Sequence, residues 1–216
     1  MNQRHEPKDQ KTNHRNKIVW ECRYFMPRIP DSFRKILAAF FPPNSQSFSD
    51  VARDVYLLKK NVASNVKLRE PNFLKLKIQT AESMDGFEEW REVFKRRLPV
   101  PNGNWEVIAR HFDMPSLEKL SELPTIAEVL NTIRSDFREI HIIKVDKERR
   151  FYHRGPAQVE IAEFYCGSKH FFSIQFESKE LQDARKLHEQ LSGRSLGQPQ
   201  NYVSFLLNTI SELWDL

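Results

Sequence analysis

Residues 66–77 read VKLREPNFLKLK, so charged and apolar residues alternate on both sides of a short central break. Successive side chains of a β-strand point to opposite faces, so Lys67 and Arg69 share one face and Lys75 and Lys77 share another. The apolar residues between them face the other way. This alternation predicts two strands, Ser64–Arg69 and Phe73–Thr80, each with one charged and one buried face.

The same analysis extends to the rest of the chain. Period-two alternation predicts six more strands, at Ile18–Met26, Asp54–Lys59, Glu139–Val145, Glu148–His153, Gln158–Tyr165 and His170–Glu177. Helical spacing predicts helices at Ser32–Phe41, Gly86–Leu98, Trp105–Phe112, Ser116–Leu123, Thr125–Phe137, Glu180–Leu191 and Tyr202–Leu216. Strands in two runs, with helices between and after them, predict an α+β fold with a mostly antiparallel sheet.

Composition excludes several classes of function. The 216 residues include only six glycines, none of them in the spacing of a dinucleotide-binding or P-loop motif. The two cysteines, Cys22 and Cys166, are too few and too far apart for a disulfide scaffold or a zinc ribbon, which favours a reducing cytoplasm. No apolar run is long enough to span a bilayer, so we expect no membrane partner.

The charge is unevenly distributed. The net charge is +5, and residues 1–17 carry +3 of it without an apolar residue after Met1. Such a segment predicts a disordered basic tail, followed by one domain over residues 18–216. The tail is either an ordinary solvated terminus or a contact for nucleic acid.

The charged strand faces allow two interpretations. An antiparallel sheet commonly has one solvated face, which would explain the lysines and arginines without any function. Alternatively, the sheet curls so that this face points inward. A barrel lined with Lys and Arg would be strongly repulsive when empty and would require a polyanion such as a phosphate chain.

Short motifs in a fixed order favour the second interpretation. They are ECRYFMP at 21–27, DVYL at 54–57, VKLR at 66–69, LKLK at 74–77, KERRFY at 147–152, and Glu163 followed by Phe171, Ser173 and Gln175. Together they resemble the CYTH, or triphosphate tunnel, family over residues 18 to 210. The resemblance implies an eight-stranded antiparallel tunnel barrel with flanking helices, which binds triphosphate-type substrates with a divalent metal ion.

Carried over position by position, the resemblance assigns a set of phosphate-binding cations. They are Arg23, Lys67, Arg69, Lys75, Lys77, Lys147 and Arg149. It leaves Glu21 and Glu163 as the ligands of a Mg²⁺ or Mn²⁺ ion. No catalytic residue is assigned.

The carboxylates depart from the family pattern. Val19 stands where the first glutamate is expected, and Ser173 and Gln175 stand where the last strand should carry two glutamates. A register shifted by two would instead place Gln175 and Glu177 there. We therefore expect a protein that binds a phosphate-rich small molecule, polyphosphate or nucleotide, without efficient hydrolysis. The alternatives are an active metal-dependent triphosphatase or phosphotransferase, and a nucleic-acid-associated protein that uses the tail.

Overall fold

The computed structural model describes residues 17–42, 47–191 and 193–214. The predicted basic tail therefore lies, except for Lys17, outside the described residues. Within the described ranges, no helix combines the length and the apolar composition needed to cross a membrane.

Eight strands form a closed barrel. They are β1 (Ile18–Met26), β2 (Ser47–Leu58), β3 (Ser64–Arg69), β4 (Phe73–Glu82), β5 (Glu88–Arg97), β6 (His141–Arg154), β7 (Ala157–Cys166) and β8 (Lys169–Ser178). Their order around the barrel is β1-β5-β4-β3-β2-β6-β7-β8, and every neighbouring pair is antiparallel. This confirms the expected eight-stranded antiparallel barrel.

One of these strands was predicted as a helix. The segment Gly86–Leu98 contains β5, which pairs with β1 and β4. A β-bulge explains the error: Leu76 of β4 lies opposite Phe94, but the next residue, Lys77, lies opposite Glu92. The extra residue, Val93, packs against the same apolar cluster as its neighbour Phe94. Two consecutive apolar residues on one side break the alternation and mimic helical spacing.

The count of strands was nevertheless correct, because a second error offset the first. The segments predicted separately at Glu139–Val145 and Glu148–His153 form the single strand β6. Its pairing with β2 runs without interruption from His141 to Tyr152. The charged residues from Asp146 to Arg150 lie within this strand, where successive side chains alternate between the two faces.

The barrel is covered by helices on its outside. Residues 102–136 contain α2 (Asn102–His111) and α3 (Ile126–Asp136), which cover β2 to β5 and bury Trp105 and Ile133 against the strands. On the other side, α1 (Asp31–Phe40) and α4 (Leu181–Gln190) cover β1, β7 and β8. These apolar outer layers fix which strand face points inward.

A fifth helix, α5 (Tyr202–Trp214), closes one end of the barrel. Its residues Tyr202, Val203, Phe205 and Leu206 are buried among inward-pointing side chains of the strands. The ring of Phe205 stacks on Phe25 of β1 with 3.8 Å between centroids. At the end of the barrel away from α5, Asp50 of β2 lies opposite Arg149 of β6.

Gly86 allows a close approach between the β4–β5 turn and the segment before α5. Its φ is +80°, and a Cβ built there would lie 2.3 Å from Cγ of Pro199. We expect Gly86→Ala to lower the free energy of unfolding by at least about 1 kcal/mol, because both the backbone conformation and the contact would be strained. Urea denaturation measures the loss.

Gly103→Ala is the matched control, since Gly103 lies in α2 and a Cβ there meets nothing within 4 Å. It should leave stability unchanged or raise it by about 0.4–1 kcal/mol. Equal effects of the two substitutions would contradict the assigned contact with Pro199.

Candidate functional site

All seven cations assigned from sequence lie on the inner wall of the barrel, which we define as the strand face opposite to the helical layers. The flanking residues show this directly: Val66 and Leu68 pack into the outer core, so Lys67 between them points inward. The same holds for Arg23, between Cys22 and Tyr24. The structure therefore brings these cations into one enclosure, from the four strands β1, β3, β4 and β6.

The inner wall also carries its own anions. The expectation that an empty barrel would be repulsive is wrong, because inward carboxylates pair with six of the seven cations. The pairs are Lys67 and Arg69 with Asp54, Arg149 with Asp50, Arg23 and Arg149 with Glu160, Lys75 with Glu92, and Lys77 with Glu21. Composition could not show this, since other acidic residues on these strands, such as Asp146 and Glu148, are exposed on the outer face.

Asp54 is the most enclosed of these carboxylates. Its side chain is fully buried, and its oxygens accept hydrogen bonds from Lys67 Nζ at 3.0 Å and from Arg69 Nε and one terminal nitrogen at 2.6 and 2.8 Å. These cations hold the pKa of Asp54 far below its usual value despite burial, so it stays ionised. Desolvation in turn lowers the pKa of Lys67 to about 7, although Asp54 opposes the shift.

Arg23 joins three strands. One terminal nitrogen lies 3.2 Å from a carboxylate oxygen of Glu160 and 3.0 Å from Oγ of Ser173, and the other donates to Oε1 of Gln175. Its Nε–H is buried and has no hydrogen-bond partner among the described residues. The guanidinium also lies 4.9 Å from the ring centroid of Tyr202, on the helix that closes the barrel.

Lys147 differs from the other cations. Among the described residues, no carboxylate lies within 4.0 Å of its Nζ, which donates a 2.9 Å hydrogen bond to the hydroxyl of Tyr56. The ammonium also lies 3.9 Å from the ring centroid of Tyr202. Burial, together with the nearby charge of Lys67, holds the pKa of Lys147 well below its ordinary value.

The two carboxylates proposed as metal ligands are not brought together. Glu21 lies on the inner wall, where it contacts Lys77 at 3.5 Å and the amide of Gln175 at 2.7 Å. Glu163 lies on the outer face of β7, half-exposed, with one oxygen 2.9 Å from Nε2 of His170. In the described part of the chain, no group of three or more His, Cys, Asp or Glu side chains converges. The residues present therefore do not fit the expected Mg²⁺ or Mn²⁺ site.

Sequence reasoning missed several residues that complete the inner wall. They are Asp50, Asp54, Glu160 and Tyr56, with Tyr202 of α5 packed against them. Glu177, which the alternative register of the last strand had named, also lies on the inner wall. For Glu160 a signal was present: Val159 and Ile161 are apolar, so alternation places the residue between them on the charged face. For Tyr202 no signal was present, because nothing in a helical segment indicates that it enters a barrel.

Cavities lie at both ends of the enclosure. One of about 340 Å³ is lined by Asp50, Arg69 and Arg149, at the end away from α5. Another of about 630 Å³ lies beside α5 and includes Arg23, Gln79 and Glu88 in its lining. Arg23 contributes to the lining of the second cavity, and Arg69 and Arg149 to that of the first.

Removing the carboxylate of Asp54 should be strongly destabilising. Asp54→Ala leaves Lys67 and Arg69 without their shared anion in a buried position, and we expect a loss of about 3–5 kcal/mol in the free energy of unfolding. Glu70→Ala removes a comparable pair with Arg53 whose side chains are 58% and 65% exposed. That control should cost less than about 1 kcal/mol. Similar losses in urea denaturation would contradict the assigned burial of the Asp54 cluster.

Comparisons with known proteins find similarity in structure only. No family model and no curated protein matches the sequence. Among solved structures, a protein of Pyrococcus horikoshii is 12% identical, with 86% of this chain and 98% of that one covered and a TM-score of 0.47. A putative adenylate cyclase of Bacillus halodurans is 13% identical, with 87% and 97% covered and a TM-score of 0.47.

A third solved structure, from Hippeastrum, is described as a putative adenylyl cyclase with a dominant triphosphatase activity. It is 16% identical, with 86% of this chain and 90% of that one covered and a TM-score of 0.46. The closed eight-stranded antiparallel barrel of the present chain agrees with the architecture that the sequence resemblance implied.

Proposed function

We propose that the protein binds a phosphate-rich anion of the tripolyphosphate type inside the barrel, without efficient hydrolysis. The observation that carries this proposal is Lys147, a buried amine on the inner wall that faces a tyrosine hydroxyl and an aromatic ring instead of a carboxylate. Burying an ionisable amine without a counter-charge is costly, and a bound anion would supply that charge.

Arg23 supports the same interpretation. Its buried Nε–H lacks a partner among the residues described, although a buried donor without an acceptor costs about 1–3 kcal/mol. A phosphate oxygen is a suitable acceptor, because guanidinium groups bind phosphate through several N–H donors at once. The amine of Lys147 and the Nε–H of Arg23 are therefore available to bind an anion, because neither takes part in the internal ion pairs.

The remaining cations would act by exchange of partners. Arg69 and Lys75 are about a quarter and a fifth exposed, and Arg149 lines the cavity at the end away from α5. A phosphate chain that enters there could contact these cations while their carboxylates move toward solvent. Each exchanged contact contributes little net energy, so we expect affinity to depend chiefly on the deeper residues.

Hydrolysis would require an activated water, and the inner wall offers no evident group to activate it. Each inner carboxylate is held in contact with cations or amides, and no metal-binding group of three is present in the described ranges. We therefore expect phosphate release from tripolyphosphate to stay at its rate in buffer, with or without Mg²⁺. Turnover that is lost in Glu21→Gln would contradict this part of the proposal.

Tripolyphosphate should stabilise the protein, and Lys147→Met should weaken its binding. At a concentration about a hundred times Kd, the ligand should raise Tm by about 5–10 °C. Lys147→Met keeps the length of the side chain but loses the charged donor, which should weaken binding by about tenfold to a hundredfold. Its Tm without ligand should be equal to or above that of the wild type, because a costly buried amine is removed.

Lys119→Met serves as the control, since Lys119 is largely exposed and pairs with Asp136 on the surface. It should bind tripolyphosphate as the wild type does in calorimetric titration. Equal affinity of Lys147→Met and the wild type, or no shift of Tm with tripolyphosphate, would contradict the proposal.

Anion affinity should fall as the pH rises. Desolvation lowers the pKa of Lys67 to about 7 and that of Lys75 to about 8, and it lowers that of Lys147 as well. A bound anion favours the protonated amines, so binding takes up protons and weakens as they become neutral. Between pH 6.5 and 9 we expect about a tenfold loss of affinity for sulfate, whose charge is constant over this range. An affinity that is constant or rises would contradict this coupling.

A further inference from the structure

The amide of Gln175 bridges two carboxylates on the inner wall. Its Nε2 donates to Oε2 of Glu21 at 2.7 Å and to Oε2 of Glu177 at 3.0 Å. Glu21 and Glu177 are direct partners across β1 and β8, where two like charges face each other. Since an amide nitrogen has two hydrogens, both donors are used, and they lie where a cation would otherwise balance the pair.

The orientation of this amide is fixed from its other side. Arg23 donates to Oε1 of Gln175, so the oxygen faces the guanidinium and the nitrogen faces the carboxylates. Gln175 is also buried. Both carboxylates have further donors: Lys77 on Glu21, and Gln158 and Lys17 on Glu177. The negative charges of Glu21 and Glu177 are therefore compensated by hydrogen-bond donors and cations of the protein itself.

We propose that Gln175 keeps divalent cations off the inner wall, so that the barrel takes its phosphate-rich anion in the metal-free form. The second half of this inference rests on the proposed function. Mg²⁺ and Mn²⁺ prefer several oxygen ligands in near-octahedral geometry. Glu21 and Glu177 are the only directly paired carboxylates of β1 and β8, and the two hydrogens of the Gln175 amide nitrogen lie between them. Donor hydrogens therefore occupy the position in which a cation would need oxygen ligands. The negative charge of the bound anion is instead balanced by Lys147, Arg23 and the other cations of the inner wall.

The first experiment uses Mn²⁺ alone and needs no anion. Gln175→Glu places a third carboxylate between Glu21 and Glu177 at nearly unchanged volume. We expect Mn²⁺ at about a hundred times its Kd to raise the Tm of this variant by about 5 °C or more, and to leave the wild type unshifted. Gln182→Glu, the same change at an exposed position of α4, should behave as the wild type. A wild type that Mn²⁺ stabilises as much as Gln175→Glu would overturn the proposal.

The second experiment uses the wild type, so it does not depend on the folding of a variant. Tripolyphosphate is titrated calorimetrically in EDTA and again with Mg²⁺ in excess over the ligand. We expect binding in EDTA, and at least about a tenfold weaker binding with Mg²⁺, because the metal complex carries less negative charge. Binding that requires Mg²⁺ would overturn the metal-free inference and leave the proposed anion site intact.

The two failures can be told apart. If tripolyphosphate binds under neither condition, the proposed function fails, while the Mn²⁺ experiment still decides whether Gln175 excludes a cation. If Mn²⁺ stabilises neither the wild type nor a folded Gln175→Glu, the bridging amide is not what excludes the metal, and the assigned role of Gln175 is wrong.

Discussion

The burial of ion pairs inside a closed barrel is the constraint on which the rest of the structure depends. Eight antiparallel strands leave no free edge, so each strand must place every second side chain in the enclosure. In this chain many of those side chains are charged. Asp54 shows how the enclosure stays stable: one fully buried carboxylate is shared by a lysine and an arginine of the neighbouring strand. Removing one partner of such a set is costly, although the intact set contributes little.

The same constraint determines where a ligand could act. Where a cation is already paired with a carboxylate of the protein, a bound anion can contact that cation only by replacing the carboxylate. Lys147 and Nε of Arg23 are different, because they are buried and lack an anionic partner in the part of the chain that the structure describes. Tyr202 contacts both side chains from α5. The helix that closes the barrel thus also shapes its deepest polar region, and the proposed binding depends on this combination.

Much of the architecture followed from the sequence, for identifiable reasons. Strict alternation in residues 66–77 placed Lys67 and Arg69, and likewise Lys75 and Lys77, on one face of their strands, and the fold confirmed it. The segment of β5 was misassigned because the bulge at Val93 breaks the alternation. The pairing of Asp54, Asp50 and Glu160 with the cations could not be predicted, because it depends on which strands become neighbours around the barrel. The outward position of Glu163 could have been predicted, because period two places it on the same face as Val159 and Ile161, opposite to Glu160.

The most direct test of the central claim is a crystal structure of the protein with tripolyphosphate, grown in EDTA. The account predicts that the phosphate chain lies inside the barrel, with oxygen atoms within hydrogen-bond distance of Lys147 Nζ and Arg23 Nε, and with Gln175 still bridging Glu21 and Glu177. Phosphate bound only on the outer surface, beside an unchanged Lys147 and Tyr56, would contradict it.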